Sequence, residues 1–491
     1  MLNKNLTLFY SFLFFITISS IQICFAQTPD TIWTRIFGSS NNEYGYYAEQ
    51  TDDGGFILVG YVDISGDDDI WLIKTDANGD TLWTKTYGTY HYDYASCVHQ
   101  TSDGGYIIFG DTDSFDPNFW DVWLIKTDSN GDTLWTKVLG ANQYYFVESG
   151  LELPGSGYVF AGYTKTTAGG PEDIWLVKTD LDGDTLWTKT YGGSDRDLPH
   201  SISRTEDGGF IIAGSTKSQS AGDFDAWLIR TDSDGNLIWT KTYGGTGYDL
   251  GEDAKQTDDD GFIIAGVTES FGHMNNYVDA WLIKTDSDGD TLWTKTFGGD
   301  THDGALSVVQ TSDGGYVWTG YLDISTFNQD LWVLKTDANG NTLWSETYGG
   351  TFNNIGRCIN KTDDGNLIIT GDYYSEVTNT RDVWLLNVDP DVSDVERDEN
   401  SQIPETIILK QNYPNPFNPT TTIEFGIPES QFVTLAVYNL LGEQVGSLVN
   451  EYLSAGNYTA DWNAADLPSG IYIYKLIARE FSLSNKMILM K

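Results

Sequence analysis

The sequence predicts an all-β protein, on three observations. One phrase, TDSDGDTLWTKTFGG at residues 285–299, returns in near-copies from Thr75, Thr127, Thr179, Thr231 and Thr336. Almost uninterrupted apolar runs such as FILVG and YIIFG lie between the copies, and such runs are typical of strands that are buried on both faces. Beyond residue 26 the chain shows no apolar spacing typical of an amphipathic helix.

The first 26 residues read as an export signal and not as part of the fold. Lys4 supplies a positive start, a long apolar run follows, and the run ends at the small residue Ala26. We therefore predict cleavage between Ala26 and Gln27 and passage into the periplasm. No later segment is apolar enough to span a bilayer, so we expect no transmembrane segment in the mature chain.

Two series of tryptophans divide the chain into seven units. One series follows an Asp, as in DIWLIKTD, and consists of Trp71, Trp123, Trp175, Trp227, Trp281, Trp332 and Trp384. The other lies in the repeated phrase and consists of Trp33, Trp83, Trp135, Trp187, Trp239, Trp293 and Trp344. Their regular spacing indicates an array of supersecondary units of about 50 residues.

Each unit reads as four strands, which we label a to d. In the fifth unit we predict strand a at 250–257, strand b at 262–268, strand c at 279–286 and strand d at 290–298. Gly, Asp and Asn between the strands provide positive φ and local hydrogen bonds for tight turns.

The ends of the array predict how it closes. It finishes at 382–389 with a strand c that has no strand d, whereas DTIWTRIF at 30–37 is a strand d with nothing before it. Pairing the two would remove the exposed sheet edges at both ends of the array. An open solenoid, in contrast, would have no use for a half-unit at its start. We therefore predict a seven-bladed β-propeller over residues 27–390, closed by the N-terminal strand. In unit length it resembles the kelch-like propellers secreted by bacteria.

The composition changes after residue 390. We predict a polar linker over 391–407 and a small Ig-like β-sandwich over 408–491, with Trp462 in its core. The last segment resembles the type A C-terminal sorting domain of the type IX secretion system. The matching residues are Asn412, Pro414, Asn415, Pro416, Phe417, Asn418, Pro419, Gly470, Lys486 and Met487. This resemblance implies that the secretion machinery is a partner and that the protein is secreted or displayed on the outer cell surface.

Net charge and cysteine content limit the classes of partner. The chain carries 71 acids against 27 bases, for a net charge of −44, which would repel nucleic acid. The acidic turns leave calcium binding as an alternative to a protein without cofactors, although the common role of a turn Asp is to bind backbone N–H groups. Cys97 and Cys358 lie two units apart, so we expect free, buried thiols. We expect a monomer.

Acidic residues recur just before or at the start of strand a. The series reads Glu43, Asp93, Tyr145, Asp197, Asp249, Asp303 and Asn354. Because strand a should be innermost, we hypothesise that Asp93, Asp197, Asp249 and Asp303 ring the mouth of a central channel and bind a ligand there. The alternative is that each caps its own turn.

Aromatic residues gather in the variable loops of the first three units. Rings beside carboxylates can stack on sugars or hold a peptide. We therefore add Tyr90, Tyr92, Tyr144 and Tyr145 to the candidate ligand site; the alternative is packing between blades.

The sequence favours a binding module, for glycan or protein, over an enzyme. It contains neither GxSxG nor a P-loop, and its five histidines lack metal-ligand spacing, so we assign no catalytic residue and no metal site. The alternative is a polysaccharide hydrolase or lyase that uses acids at the channel mouth, such as Asp93 and Asp249. Units of nearly equal length favour binding, because an enzyme would be expected to carry asymmetric insertions.

Overall fold

The computed structural model describes residues 30–64, 66–89, 91–115, 119–140, 143–165, 171–272, 277–325, 328–350, 352–375, 378–390, 395–397, 404, 406–428, 431–440, 444–453, 455–464, 467–478 and 481–491. Within these ranges the chain forms strands and turns without a helix, and so contains no helix of the length and hydropathy that a bilayer crossing requires. The predicted signal peptide, with Ala26 and Gln27, lies outside the described residues.

The repeat region contains 28 of the strands. The first strands are β1 (Asp30–Phe37), β2 (Glu43–Gln50), β3 (Phe56–Ile64), β4 (Asp67–Thr75), β5 (Thr81–Tyr87), β6 (Asp93–Gln100), β7 (Tyr106–Thr112), β8 (Asp121–Thr127), β9 (Thr133–Leu139), β10 (Tyr144–Leu153), β11 (Gly157–Lys165), β12 (Glu172–Thr179) and β13 (Thr185–Tyr191). The others are β14 (Asp197–Arg204), β15 (Phe210–Thr216), β16 (Asp225–Thr231), β17 (Leu237–Tyr243), β18 (Asp249–Gln256), β19 (Phe262–Thr268), β20 (Asp279–Thr285), β21 (Thr291–Phe297), β22 (Asp303–Gln310), β23 (Tyr316–Ser325), β24 (Asn328–Thr336), β25 (Thr342–Tyr348), β26 (Ile355–Lys361), β27 (Leu367–Ser375) and β28 (Thr380–Asp389).

These strands form four-stranded antiparallel sheets. From β2 to β25 each consecutive group of four makes one sheet in chain order, and a further sheet has the order β1-β28-β27-β26. In that sheet β1 is antiparallel to β28, with Ile36 opposite Trp384, so the N-terminal strand occupies the position of strand d, as predicted. The repeated sheets are those of a β-propeller. The four strands predicted for the fifth unit correspond to β18, β19, β20 and β21 within one or two residues.

Burial follows the predicted order of strands within a sheet. Every residue of β7, β15 and β19 is buried, as their continuous apolar sequences require, whereas β5, β9 and β13 alternate between exposed and half-buried side chains. The first strands of the sheets contact one another in cyclic order: β2, β6, β10, β14, β18, β22, β26 and β2 again. These strands therefore lie at the centre of the molecule, and the outer strands face solvent.

The repeated phrase joins each sheet to the next one. The rings of Trp83 lie over Gly131, in the turn of the following sheet, so closely that a Cβ on that glycine would lie 2.9 Å from ring carbons. Two residues on, Lys85 Nζ lies 2.7 Å from Asp132 Oδ1, and the Tyr87 hydroxyl donates to the Gly131 carbonyl at 2.6 Å. Trp, Lys and Tyr of one copy thus hold the Gly and Asp of the next copy, which explains why the phrase recurs as a whole.

The isolated N-terminal copy makes two of these three contacts, since Phe37 stands in the place of the tyrosine. Trp33 lies over Gly79, whose φ is 77°, and Arg35 Nε lies 2.9 Å from Asp80 Oδ1. A strand from the start of the chain therefore holds the turn of the sheet of β2 to β5 as β5 holds the turn of the sheet after it.

The C-terminal part forms two further sheets. Its strands are β29 (Val395–Arg397), β30 (Ile408–Leu409), β31 (Thr420–Ile427), β32 (Gln431–Tyr438), β33 (Gln444–Leu453), β34 (Gly456–Asn463), β35 (Gly470–Ala478) and β36 (Phe481–Leu489). The sheet orders are β29-β34-β31-β30 and β33-β32-β35-β36, and one core that includes Phe417 and Trp462 lies between them. Because β29 pairs with β34, part of the segment predicted as linker belongs to the C-terminal fold.

Candidate functional site

A β-bulge at the same place in every central strand positions the side chains of the candidate site. In β2, for example, the pairing with β3 shifts between Gly45 and Tyr47, which leaves Tyr46 as the extra residue. A bulge of this kind redirects one side chain without ending the sheet. The bulge residues of the successive strands are Tyr46, Ser96, Glu148, His200, Glu252, Leu306 and Arg357.

All of these bulge residues line one cavity of about 290 Å³ between the central strands, which we call the axial cavity. The surrounding scaffold repeats almost unchanged, yet nearly every bulge residue is chemically different from the others. A residue common to all repeats serves the sheet, so the variable position is the place where a repeat protein can carry specific binding chemistry.

Three of the bulge residues form a charged wall. His200 Nδ1 lies 3.4 Å from Glu252 Oε2, and Glu148 faces the same cavity. Within the described part of the chain, the Glu148 carboxyl makes no hydrogen bond. Burial raises the pKa of Glu148 to about 7, against the attraction of His200 and with the repulsion of Glu252.

The basic groups of the opposite wall each contact a carboxylate, and Asp372 also lies 3.7 Å from Arg381 Nη1. Arg357 donates from Nε and Nη2 to Asp372 Oδ2, at 3.0 and 2.7 Å, and its guanidinium lies 4.7 Å from the centre of the Tyr46 ring. Also in the lining, Lys255 Nζ lies 3.0 Å from Asp253 Oδ1. These basic groups are thus paired inside the protein, whereas the only basic group in contact with either glutamate of the charged wall, among the described residues, is the His200 imidazole at Glu252.

A row of half-buried rings extends from the axial cavity across the first three sheets. We call it the aromatic belt, and it consists of Tyr44, Tyr61, Tyr94, Trp120, Phe146 and Tyr163. The centres of successive rings are separated by 4.6, 4.8, 5.6, 5.7 and 4.8 Å. At one end Tyr46 of the cavity lies 5.9 Å from Tyr61. At the other end Phe146, opposite Tyr163, lies on β10 two residues before Glu148, which brings the belt close to the charged wall.

The predicted tyrosines occupy different places around this belt. Tyr92 is 42 % exposed and its ring stacks on Tyr94 at 6.3 Å, so it lies at the outer edge of the belt. Tyr144 contacts Phe119 at 5.2 Å. Tyr145 packs on Trp175 at 4.7 Å, which is the packing role of the alternative. Tyr90 lies outside the described residues.

The predicted acids Asp93, Asp197, Asp249 and Asp303 are fully buried at the start of their strands. Each accepts the backbone N–H of the residue four positions earlier, from Thr89, Gly193, Gly245 and Gly299, at 2.8 to 3.1 Å. These are the hydrogen bonds of a turn cap, and the four side chains are absent from the described lining of the axial cavity. Asp93 and Asp249 start strands in sheets that are three units apart, so the structure does not bring them together.

Cysteine and turn residues show the predicted local structure. Cys97 and Cys358 are free and buried. In the turn after β8, Asp128 Oδ1 accepts the N–H groups of Asn130 and Asp132 at 2.8 and 2.9 Å, which is ordinary turn geometry. A search of the described residues finds no group of three or more His, Cys, Asp or Glu side chains arranged to hold a metal ion.

The C-terminal motif forms a loop that docks on the last strand. The Asn415 amide donates to the Lys486 carbonyl at 3.3 Å, and its Oδ1 accepts the Ile488 N–H at 2.9 Å. Asn412 is buried and donates to Thr421 Oγ1 at 2.9 Å, while Phe417 enters the core. Pro414, Pro416, Asn418 and Pro419 complete the loop that leads to β31, and Gly470 begins β35 opposite Leu489.

Comparison with protein families decides the nature of this segment. Residues 411–490 match the family described as the secretion system C-terminal sorting domain. The chain ends in a type IX secretion sorting domain. A sorting domain of this kind implies export by that machinery, to the cell surface or the medium. The resemblance seen in the sequence is therefore confirmed.

Solved structures and curated proteins add little to this assignment. PorZ, a bacterial surface component of the type IX secretion system of Porphyromonas gingivalis, is 8 % identical over 91 % of this chain and 81 % of its own, with a TM-score of 0.27. YCF48 bound to D1 peptide is 10 % identical over 73 % and 95 %, with a TM-score of 0.44. Sqt1 from Chaetomium thermophilum is 10 % identical over 70 % and 82 %, with a TM-score of 0.41. At these TM-scores the likenesses carry no functional argument, and no curated protein matches the chain.

Sequence reasoning missed the axial cavity. The signal was present, because the bulge position takes Tyr, Ser, Glu, His, Glu, Leu and Arg in strands that otherwise resemble one another. Alternation along a regular strand does not reveal which residue a bulge redirects, so the position appeared to be an ordinary half-buried one.

Proposed function

We propose that the exported propeller is a binding module, with its ligand held where the axial cavity meets the aromatic belt. The supporting observation is the contrast between a repeated scaffold and a nonrepeated cavity lining, together with half-buried rings beside that lining. A rigid ring of sheets with variable residues at one mouth suits recognition of a glycan or a protein. In this proposal the turns at the mouth are held in place by the buried carboxylates of Asp93, Asp197, Asp249 and Asp303. Tyr92 and Tyr144 extend the belt.

The same proposal includes the architecture expected from the sequence. We propose seven blades closed by β1, an Ig-like sandwich at the C-terminus, and removal of residues 1–26 on export. The pairing of β1 with β28 and the cyclic contacts of the central strands support the closure. We further propose a monomer that needs no cofactor, with calcium at the acidic turns as the alternative.

A screen of glycans and peptides against the full secreted chain tests the binding role. Tyr92→Ala is expected to weaken the best ligand at least about tenfold, because truncating an exposed contact ring removes most of its interaction. Phe271→Ala is the matched control. Phe271 is 52 % exposed and packs on Trp281, and both belong to the unit of β18 to β21, away from Tyr92. Equal loss in both variants, or no ligand in the screen, would contradict the proposal.

A polysaccharide hydrolase or lyase remains the second candidate. It is favoured by one observation, the half-buried Glu148 whose pKa is raised to about 7 in the same cavity as Glu252, because a general acid works best near the ambient pH. Cleaved products in the same screen, lost in Glu148→Gln, would favour this candidate over simple binding.

A further inference from the structure

The charged wall of the axial cavity has more negative than positive charge. Glu148 and Glu252 face the cavity with His200, whereas Arg357 is bound to Asp372 and Lys255 to Asp253. Glu148 is half-buried and makes no hydrogen bond within the described residues, and Glu252 contacts only the His200 imidazole, so a cation that enters the cavity would meet two carboxylates with little internal compensation.

The size of the cavity favours a single side chain over a sugar ring system. Pockets that enclose small organic ligands usually measure about 300 to 1,000 Å³, and the axial cavity, at about 290 Å³, is at the lower limit. A long, thin side chain that ends in a charged group fits such a space and leaves the rest of its chain at the mouth.

One ring of the aromatic belt and one ring of the cavity lining already bind cations within the molecule. The guanidinium of Arg381 lies 5.5 Å from the centre of the Tyr44 ring, and that of Arg357 lies 4.7 Å from the Tyr46 ring. Cations are attracted to ring faces at these distances. The net charge of −44 would also increase the rate at which basic partners approach.

Resting on the proposed binding role, we infer that the axial cavity receives a lysine or arginine side chain from a basic segment of a partner protein. Glu148 and Glu252 hold the charged end, His200 orients Glu252, and the rings at the mouth contact the aliphatic stem. Because the carboxylates lie inside the cavity, recognition depends on the end group of one side chain and not on the overall charge of the partner.

Calorimetric titration of the full secreted chain tests this inference. The probes are a blocked pentapeptide with one central lysine, its arginine twin, its norleucine twin and a chitosan oligomer. The lysine or arginine peptide is expected to bind at least about tenfold more tightly than the norleucine peptide, since norleucine keeps the aliphatic stem of lysine and lacks its charged ammonium group. Absence of binding by both charged peptides, or equal binding of the norleucine peptide, would overturn the inference.

Variants locate the interaction. The double variant Glu148→Gln with Glu252→Gln keeps the shape of the wall and is expected to lose at least about tenfold in affinity for the lysine peptide. Asp234→Asn, at an exposed position in the turn after β16, is the single-charge control and is expected to leave affinity unchanged. Unchanged affinity in the double variant would place the peptide elsewhere and overturn the inference.

Two further outcomes separate this inference from the proposed function. Tighter binding of the chitosan oligomer than of the peptides would overturn the choice of a protein partner. A neutral ligand that needs Tyr92 but not Glu148 would overturn the inference and leave the binding role intact.

Discussion

Glu43 and Asp382 meet between β2 and β28, at the contact between the first and last sheets. Both side chains are buried, with exposures of 1 % and 7 %. Burial and, second, the negative charge of Glu43 raise the pKa of Asp382 to about 6; burial also raises the pKa of Glu43. At the equivalent place between β24 and the start of β26, Asn354 stands where Glu43 stands in the first sheet, so an amide faces Asp330 in place of a second carboxyl and lowers the pKa of Asp330.

This pair predicts a pH dependence of stability. Raised pKa values mean that the folded protein keeps protons which the unfolded chain has released, so the stabilisation is complete at low pH and is lost as the pH rises through about 6. Glu43→Gln reproduces the Asp330–Asn354 pair and avoids two charges in contact. Near pH 8 its Tm is expected to exceed that of the wild type by about 3 °C, with little difference near pH 4.

Thermal unfolding followed by circular dichroism across that pH range measures the effect. Glu206→Gln removes the same charge from an exposed turn and serves as the control. Parallel pH profiles for Glu43→Gln and the control would show that the buried pair does not govern the dependence.

At the scale of the element, the turn between strands c and d is built to be held by a neighbouring sheet. Gly131 has a φ of 76° and lies under Trp83, so it satisfies a backbone requirement and a packing requirement together. The turn between strands a and b also contains a glycine with positive φ, Gly104 at 82°, but nothing lies within 4 Å of the position where its Cβ would be. Gly104 therefore meets only the backbone requirement, whereas Gly131 meets both the backbone and the packing requirement.

We predict that Gly131→Ala is more destabilising than Gly104→Ala. Both variants place a Cβ in the left-handed region, at about 1 kcal/mol each. The first also displaces Trp83 and disturbs the Lys85–Asp132 pair, and its Tm is expected to be about 3 °C lower than that of the second. Denaturation of both variants under the same conditions measures the difference; equal Tm values would mean that the ring does not stabilise the turn.

At the scale of the whole molecule, the first and last strands of the repeat region form one sheet. Trp33 and Arg35 reach the turn of the sheet that follows, and the Trp384 indole donates to Thr34 Oγ1 at 2.6 Å. Because β1 is held on both sides, its position in the sheet should matter more than its position in the chain.

Relocating β1 tests the closure proposal. A permutant that carries residues 30–38 after Asp389, joined by the turn sequence of another unit, keeps strand d beside β28 and is expected to unfold within about 3 °C of the wild type. A matched deletion of residues 30–38 leaves β28 as an edge strand and is expected to lose cooperative unfolding or aggregate. Size-exclusion chromatography and calorimetry distinguish the two, and a permutant that behaves like the deletion would contradict the closure.

Much of the fold was predictable because it depends on repetition and local chemistry. The strands β18 to β21, the glycine turns, the free thiols of Cys97 and Cys358 and the core position of Trp462 all follow from patterns within one unit or one motif. The place of DTIWTRIF beside β28 was predictable for a different reason. The array starts with a strand d that lacks its sheet and ends with a sheet that lacks its strand d, so pairing the two completes both.

The sequence by itself determined the repeated sheets, the sorting domain and the acidic character of the molecule. Only the tertiary structure decided which residues face the centre. A bulge in each central strand turns Glu148, His200 and Glu252 into one cavity, while hydrogen bonds to their own turns hold Asp93 and Asp249 out of it. The physical reason is that residues from different units meet around an axis, and neither the spacing within a unit nor strand alternation records where a bulge redirects a side chain.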